Sequence, residues 1–457
     1  MKHLKVPHTL VLLFLMMLVA YALTWILPAG QFEMTEANGH EVIIPGSYQT
    51  IENPPKLMPW DIFTVIPKAL SAASGIIFFL FLIGGSIAIL RSTGAIDAIL
   101  GKVINRFAHR PALLLFMSML AFMLGSTSIG MAEEYIPLVL ILISLCVALK
   151  MDTVSAVGSM VIGYGIGYGT AVLNPFTLVV AQGVANVEPI SGWEFRVALF
   201  LPFLVIGFHH LWRYAKKVQQ DPSYSLVHDV PEAQPPAPSE YPALTGKHLT
   251  ILLVTFATLV FMVFGIAKYG WYFTELSAIF FALALVITLI NRDSLDNAAK
   301  TFTAGASELT GTALLIGFAR SIEMLLSDGQ VLHTVVDGLA GPLSQMGAEF
   351  SAVGMLFIQS VLNFFIPSGS GQAYVTMPIM APIADIVGVS RQVAVLAYQM
   401  GDGFMNMIVP TNAVLMGILG MCGIPYSKWF RFIAPLILKL FVAGSISLVI
   451  AVLIGYQ

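Results

Sequence analysis

The sequence predicts an all-α polytopic membrane protein that forms an inverted repeat, with two re-entrant helical hairpins and two broken helices. Of its 457 residues, 57% are hydrophobic and only 10% are charged, whereas a soluble domain carries about 25% charged residues. Several apolar runs are long enough to cross a bilayer. Clusters of glycine, proline and serine interrupt some of these runs, and the interruptions recur in the second half of the chain.

The evidence for this repeat is a set of residues that match between the two halves of the chain at nearly constant spacing. The matched pairs are Gly130 with Gly371, Ala132 with Ala373, Pro137 with Pro378, Lys150 with Arg391, Val154 with Val395, Pro175 with Pro410, and Arg196 with Arg431. Secondary transporters are commonly built from such repeats, with one substrate site at the repeat interface near the bilayer midplane. We therefore expect one site to which both halves contribute.

The first apolar run, Leu10–Leu27, follows Lys2 and Lys5, an arrangement shared with signal peptides. The run is too long for the apolar core of a signal peptide, so we expect an uncleaved helix over 8–28. Cytoplasmic loops carry an excess of Lys and Arg, which places the N-terminus in the cytoplasm and the segment 29–60 outside.

The rest of the first half predicts three further spanning helices and one hairpin. Two apolar stretches, 111–124 and 135–149, are each too short to span comfortably and flank the polar centre Gly125–Gly130. They predict a re-entrant hairpin that enters from the cytoplasmic side. The spanning helices are expected over 74–92, 152–187 and 195–212, and the second of them is broken at Asn174-Pro175.

Residues 215–247 predict a long cytoplasmic linker, because this segment holds six prolines between Asp221 and Pro242. A segment of this composition buries little apolar surface and is expected to be extended or mobile. It divides the chain into a first membrane repeat over 1–214 and a second membrane repeat over 248–457.

The second half predicts five spanning helices and a hairpin of its own. The helices are expected over 248–267, 274–290, 304–326, 392–423 and 432–455, with a break near Val409–Asn412. The hairpin consists of 351–366 and 373–388 around Pro367–Gln372, and by this count of crossings it enters from the outside. About 15 Lys and Arg residues then lie inside and about 5 outside. Matched elements have opposite orientations, which makes the repeat inverted.

The two hairpin tips and the two helix breaks form the candidate substrate site, because non-helical backbone at membrane depth survives only where protein encloses it or where it lines a cavity. Half-helix N-termini offer free N–H groups to a carboxylate, while carbonyl and hydroxyl oxygens suit Na⁺. The candidate substrate-binding residues are Ser126, Thr127, Ser128, Glu134, Asn174, Thr177, Ser368, Gly369, Ser370, Gln372, Asp402, Thr411 and Asn412. The candidate Na⁺ ligands are Ser126, Ser128, Asn174, Ser368, Ser370 and Asn412. The alternative is that these small residues only let helices pack closely.

Ionisable residues at membrane depth are rare and tend to be functional. Glu133 and Glu134 follow the first tip, and at most one of them is expected to face the site. Asp402 has no basic neighbour in sequence, which favours a cation or a substrate amine as its partner. Arg320 and Glu323 lie three residues apart on one helix face and are expected to form a pair that stabilises the scaffold.

Other classes of protein fit the sequence less well. The stretch Gly163–Gly169 is similar to a potassium-channel filter, but a filter needs four copies and the second half lacks the motif. We expect these glycines to make their helix flexible or tightly packed. No Ser-His, zinc-binding or paired-aspartate motif predicts an enzyme or a cofactor. A net charge of −3 without a basic patch predicts no nucleic-acid partner.

Three motifs resemble those of the YfcC-type carriers, which belong with the C4-dicarboxylate anaerobic carriers in the ion-transporter superfamily. They are Val6–Thr9 with Trp25–Gly30, Ile366–Ala373, and Gly401–Gly403 with Pro410–Asn412. The resemblance covers essentially the whole chain. It implies a multi-pass transporter of the bacterial inner membrane, with a scaffold, a transport domain that moves as an elevator, and a homodimeric assembly.

The resemblance leaves the coupling ion and the substrate open. Sodium-coupled relatives carry Ser-Asn-Thr motifs at the tips, and this chain lacks them, so both Na⁺ and H⁺ are candidates. The group name indicates dicarboxylates, whereas some YfcC-like members are described as basic amino-acid antiporters. Acids such as Asp402 would complement an amine. We therefore expect a secondary active transporter of an amino acid such as arginine or ornithine, with a C4-dicarboxylate carrier as the alternative and an ion channel as a distant one.

Overall fold

The structure is a computed structural model of a mostly helical chain. It describes residues 9–37, 40–44, 47–54, 56–96, 98–99, 110–132, 135–233, 242–269, 271 and 273–457. The α-helices are α1 (Thr9–Ile26), α2 (Asp61–Ala72), α3 (Ser74–Ser92), α4 (Pro111–Ile129), α5 (Ile136–Ala148), α6 (Thr153–Gly169), α7 (Val180–Val184), α8 (Trp193–Gln220), α9 (Gly246–Tyr269), α10 (Phe273–Asn291), α11 (Leu295–Ser307), α12 (Thr310–Asp328), α13 (Leu332–Ala340), α14 (Ala348–Phe365), α15 (Gly369–Ile386), α16 (Arg391–Met405), α17 (Ala413–Met421) and α18 (Tyr426–Leu453). A π-helical turn spans Pro175–Val179, and 3₁₀ turns span Pro222–Tyr224, Pro231–Ala233 and Gly341–Gln345.

The prediction of a mostly helical protein with several bilayer-length apolar helices is confirmed. Within the described residues, five helices are long and apolar enough to cross a bilayer, or six if the bent pair α2–α3 counts as one span. The expected break at Asn174-Pro175 separates α6 from α7, and the expected break near Val409–Asn412 separates α16 from α17. The helices expected for the two hairpins are present as the pairs α4–α5 and α14–α15.

Each half also contains a pair of consecutive helices that the sequence analysis did not predict, and the pair in the first half is bent. In the first half, Asp61–Ala72 and Ile77–Ser92 meet at 57°. In the second half, the helix expected over 304–326 is instead α11 and α12, which part at Glu308-Leu309. Hydropathy missed α2 because Pro67 and charged residues reduce its apolar character. The two pairs occupy matched places in the two halves.

Successive glycines of Gly163–Gly169 in α6 pack tightly against two different helices, α4 and α16. A β-carbon at Gly163 would lie 2.7 Å from the Met119 carbonyl oxygen of α4, and one at Gly167 would lie 2.6 Å from the Met123 carbonyl oxygen. A β-carbon at Gly165 would instead lie 3.0 Å from the carbonyl oxygen of Gly403 in α16. Of the two roles expected for these glycines, close packing is therefore the one that the structure supports.

The first part of the predicted linker is folded. Helix α8 continues through 215–220, and the turns that follow pack against the start of α6. Asp152 caps α6 through the Ser155 amide and also accepts a hydrogen bond of 2.7 Å from the Ser225 hydroxyl. A hydrogen bond from Lys428 lowers the pKa of Asp229 on the same segment. The structure therefore differs from the expected extended linker over 215–233, and residues 234–241 lie outside the described part of the chain.

The segment expected outside the membrane contains four short strands. Strand β1 (Gly30–Gln31) pairs with β4 (Gln49–Thr50), and β2 (Met34–Ala37) pairs with β3 (His40–Ile43), both antiparallel. The Gly30 amide donates a 2.9 Å hydrogen bond to the Gln330 carbonyl. The segment is thus attached to the end of α12 in the second half.

Candidate functional site

A cavity of about 570 Å³ lies between the second hairpin tip, the two helix breaks, the α2–α3 junction and α12. This volume is within the range of small-molecule sites. The polar lining residues are Thr177, Ser368, Ser370, Asn406, Thr411, Asn412, Arg320 and Glu323. The facing apolar wall includes Ala72, Ala73, Trp271 and Phe273. Residues from both halves therefore meet around one space.

The second tip presents the N-terminus of α15 to the cavity. Ser368 caps this helix by accepting a hydrogen bond from the Gly371 amide, and Ser368, Gly369 and Ser370 all line the cavity. The first amides of a helix have no partner within the helix and carry partial positive charge. The Tyr398 hydroxyl donates a 2.5 Å hydrogen bond to the Gly369 carbonyl and so fixes the tip. This tip can accept a carboxylate.

The second break places Thr411 and Asn412 on the cavity wall, as expected. Asn412 caps α17 because its side-chain oxygen accepts a 2.8 Å hydrogen bond from the Leu415 amide. Its side-chain nitrogen donates to the Asn406 side-chain oxygen at 2.9 Å. The Thr411 hydroxyl donates to the Phe364 carbonyl, which ties the break to the second hairpin.

The first break contributes Thr177 but not Asn174. The Asn174 side chain is fully buried, accepts hydrogen bonds from the Phe176 and Thr177 amides, and donates a 3.0 Å hydrogen bond to the Ser126 carbonyl. It therefore holds the break against the first tip rather than lining the cavity. Thr177 lies three residues beyond this cap and does line the cavity.

The hydroxyls of the first tip bond to nearby protein groups rather than lining the cavity. Ser126 donates a 2.7 Å hydrogen bond to the Met131 carbonyl, and Ser128 donates to Leu124 one turn earlier in α4. The Thr127 hydroxyl accepts a 3.1 Å hydrogen bond from the Val172 amide. The structure thus places all three outside the lining that the sequence analysis assigned to them. Gly130, which ends α4 at a φ of +72°, lines the cavity instead.

Asp402 and Gln372 lie behind the second tip in a buried network of amide side chains. Asn363 and Asn406 donate hydrogen bonds of 3.0 and 3.1 Å to Asp402 Oδ1. Gln372 accepts a hydrogen bond from Asn363 and donates to Gln359. Sequence reasoning missed Asn363, Asn406 and Gln359, although polar side chains within apolar helices are the signal that could have found them.

Among the described residues, the charged side chains that line the cavity are Arg320 and Glu323, both on α12. Arg320 and Glu323 form an ion pair at 2.5 Å, and their side chains remain 41% and 19% exposed. They were expected to stabilise the scaffold, but both also line the cavity. Glu133 and Glu134 lie outside the described residues. Within the described part of the chain, no group of three His, Cys, Asp or Glu residues is placed to bind a metal.

Comparisons with known proteins identify relatives along the whole chain. A family model described as DcuC, C4-dicarboxylate anaerobic carrier, matches residues 6–453. The chain is 33% identical to an Escherichia coli K12 protein over 492 residues, covering 99% of this chain and 97% of that protein. That relative carries the name "Putative basic amino acid antiporter YfcC". A Haemophilus influenzae Rd protein whose name states no function is 28% identical over 497 residues, covering 98% of this chain and 97% of that protein.

Two solved transporter structures align with nearly the full chain. The YdaH transporter of Alcanivorax borkumensis is 14% identical and aligns over 98% of this chain and 99% of that chain, with a TM-score of 0.45. MtrF of Neisseria gonorrhoeae, described within a class of antimetabolite efflux pumps, is 15% identical over 98% and 95% of the two chains, with a TM-score of 0.41.

Proposed function

This chain belongs to the C4-dicarboxylate anaerobic carrier family, DcuC, and we propose that it is a secondary active antiporter of an amino acid such as arginine or ornithine. The substrate lies in the cavity between the second tip and α12. Its carboxylate meets the N-terminus of α15, and its amine meets an acid on the cavity wall. The name of the Escherichia coli relative supports this substrate class.

The observation that carries the substrate assignment is the opposite charges of Arg320 and Glu323 on one cavity wall. An amino acid carries both charges on adjacent groups, so it can bind the helix N-terminus and Arg320 with its carboxylate and Glu323 with its amine. A C4-dicarboxylate would hold one anionic group near the Glu323 carboxylate, and like charges at short distance are unfavourable. The cavity therefore favours a substrate that is both cationic and anionic.

The second candidate function is a C4-dicarboxylate carrier coupled to Na⁺ or H⁺. The description of the matching family favours it, and the α15 N-terminus and Arg320 would each receive one carboxylate. Transport of succinate without transport of arginine would select this candidate. A large conductance that does not saturate would instead select a channel.

The proposed mechanism is alternating access by an inverted repeat with two re-entrant hairpins. The repeats are 1–214 and 248–457, and the helix pairs α2–α3 and α11–α12, which lie at matched places in the two halves, support this division. These two helix pairs and their neighbours would form the scaffold of a homodimer, while the hairpins and broken helices would form a transport domain that moves as an elevator. We place the protein in the bacterial inner membrane with its N-terminus in the cytoplasm.

Glu323→Gln tests the substrate assignment. In proteoliposomes loaded with unlabelled arginine, we expect the wild type to accumulate labelled arginine or ornithine by saturable counterflow. The variant should lose at least roughly tenfold in apparent affinity, because removing a charge partner of an amine costs about 1.5–3 kcal/mol and about 1.4 kcal/mol is tenfold. Glu308→Gln, at an exposed position between α11 and α12, is the matched control and should leave counterflow unchanged. Equal loss in both variants, or no loss in Glu323→Gln, would contradict the assignment.

A further inference from the structure

Three buried oxygen atoms behind the second tip have no hydrogen-bond partner among the described residues. They are Asp402 Oδ2, Thr177 Oγ1 and Asn363 Oδ1. The side chains of Asp402 and Asn363 are fully buried, and Thr177 is 1% exposed. Buried polar atoms are almost always paired, so three orphans in one region require an explanation.

The three residues lie around the close contact between the second tip and the first break. A β-carbon at Gly369 would lie 2.6 Å from Thr177 Cγ2 and 3.4 Å from Asp402 Oδ2. The Asn363 side-chain nitrogen lies 3.0 Å from Asp402 Oδ1. The side chains of Asp402 in α16, Thr177 in the first break and Asn363 in α14 therefore lie close together.

The charge of Asp402 is not balanced by any described basic residue. Its Oδ1 atom accepts hydrogen bonds from two neutral amides, Asn363 and Asn406, and the ion pairs of the described residues do not include Asp402. A buried carboxylate without a counterion is strongly unfavourable. The site therefore favours a monovalent cation that prefers oxygen ligands.

We propose that Asp402, Thr177 and Asn363 bind one Na⁺ ion beside the substrate cavity. Na⁺ matches the single negative charge and can coordinate all three orphaned oxygens, whereas a proton on Asp402 would pair at most two of them. This set shares no residue with the Na⁺ ligands expected from the sequence. Asn406 connects the substrate cavity with the proposed Na⁺ site, because it lines the cavity and its side chain donates a hydrogen bond to Asp402. The role of this ion in coupling rests on the proposed transport function, but its binding does not.

The test measures Na⁺ binding to the purified full-length protein in detergent without substrate. A ligand that binds only the folded state raises the melting temperature. We expect the melting temperature to rise with NaCl and not with KCl or choline chloride at equal ionic strength. Asp402→Asn keeps a side-chain oxygen that can accept the hydrogen bonds from Asn363 and Asn406, but it removes the negative charge. It should melt in KCl as high as the wild type does in NaCl, and it should no longer respond to Na⁺.

Asp385→Asn and a threonine pair serve as controls for this test. Asp385 is exposed and pairs with Arg391, so its variant should keep the full Na⁺ response. Thr177→Val removes the orphaned oxygen and should raise the half-saturating Na⁺ concentration at least tenfold. Thr177→Ser keeps that oxygen and should bind Na⁺ as the wild type does.

Two results would overturn the proposal. One is a Na⁺ response of Asp402→Asn equal to that of the wild type. The other is a melting temperature of the wild type that rises on acidification and is indifferent to Na⁺, since Asp402 would then hold a proton. The assay contains no amino acid, so a failure of arginine counterflow would contradict the proposed function and leave the Na⁺ site standing.

Discussion

Gly403→Ala is expected to destabilise the folded protein strongly. A β-carbon at Gly403 would lie 2.3 Å from the Gly169 amide nitrogen and 2.8 Å from the Gly165 carbonyl oxygen. Both atoms are backbone atoms of α6, so they cannot move aside as a side-chain end would. Overpacking in cores costs about 1–3 kcal/mol and occasionally more. We expect a loss of at least about 3 kcal/mol, a large share of the roughly 5–15 kcal/mol that stabilises a typical fold.

The measurement is the yield of monodisperse protein in size-exclusion chromatography, together with the melting temperature of any protein recovered. Gly338→Ala is the control, because no described atom lies within 4 Å of a β-carbon at that position in α13. Its yield should equal that of the wild type. A monodisperse Gly403→Ala protein with an unchanged melting temperature would show that α6 and α16 are not in this contact.

Asn406→Ala is expected to reduce arginine counterflow by more than roughly tenfold in a protein that still folds. The Asn406 side chain accepts hydrogen bonds from Asn363 and Asn412 and donates one to Asp402. Truncation leaves the Asn412 amide on the cavity wall without this acceptor. Each buried group left unpaired costs about 1–3 kcal/mol, and about 1.4 kcal/mol is tenfold in an equilibrium constant. The loss falls on the wall that carries the proposed substrate site.

Counterflow and the melting temperature should be measured on the same preparation of Asn406→Ala. Asn291→Ala is the matched control, because Asn291 is at the end of α10 and its side chain bonds to Asp293 in an exposed turn. The rate of arginine counterflow by Asn291→Ala should equal that of the wild type. If Asn406→Ala transports as fast as the wild type, the amide network is a structural support and not part of the substrate site.

The helix breaks were predictable because their residues act locally. Asn174 precedes Pro175, which removes an amide donor, and its side chain caps the turn that follows. Asn412 caps α17 in the same way. Short-range chemistry of this kind can be recognised from a few neighbouring letters. The membrane helices were predictable for a related reason, since a long apolar run has few alternatives in a bilayer.

The lining of the cavity was harder to predict because it depends on contacts between distant segments. Ser126 was expected to face a ligand, yet its hydroxyl is bonded to the Met131 carbonyl of its own tip. Arg320 and Glu323 were expected to serve only the scaffold, and spacing in sequence does not reveal which wall they face. Asn363 lies within α14, and Asn406 follows the last residue of α16. Polar side chains in apolar segments mark such residues as candidates, but their shared contacts are seen only when α14 and α16 are considered together.

The alternating glycine faces of α6 have a consequence for proteins assembled from parts of different relatives. Gly167 packs α6 against α4 within the first half, while Gly165 and Gly169 pack α6 against Gly403 and Phe404 of α16 in the second half. A chimera that joins the halves of two relatives must therefore keep glycine at 165, 169 and 403 together. Two halves that each fold well in their own protein will not pack together if either one has alanine or a larger residue at one of these three positions.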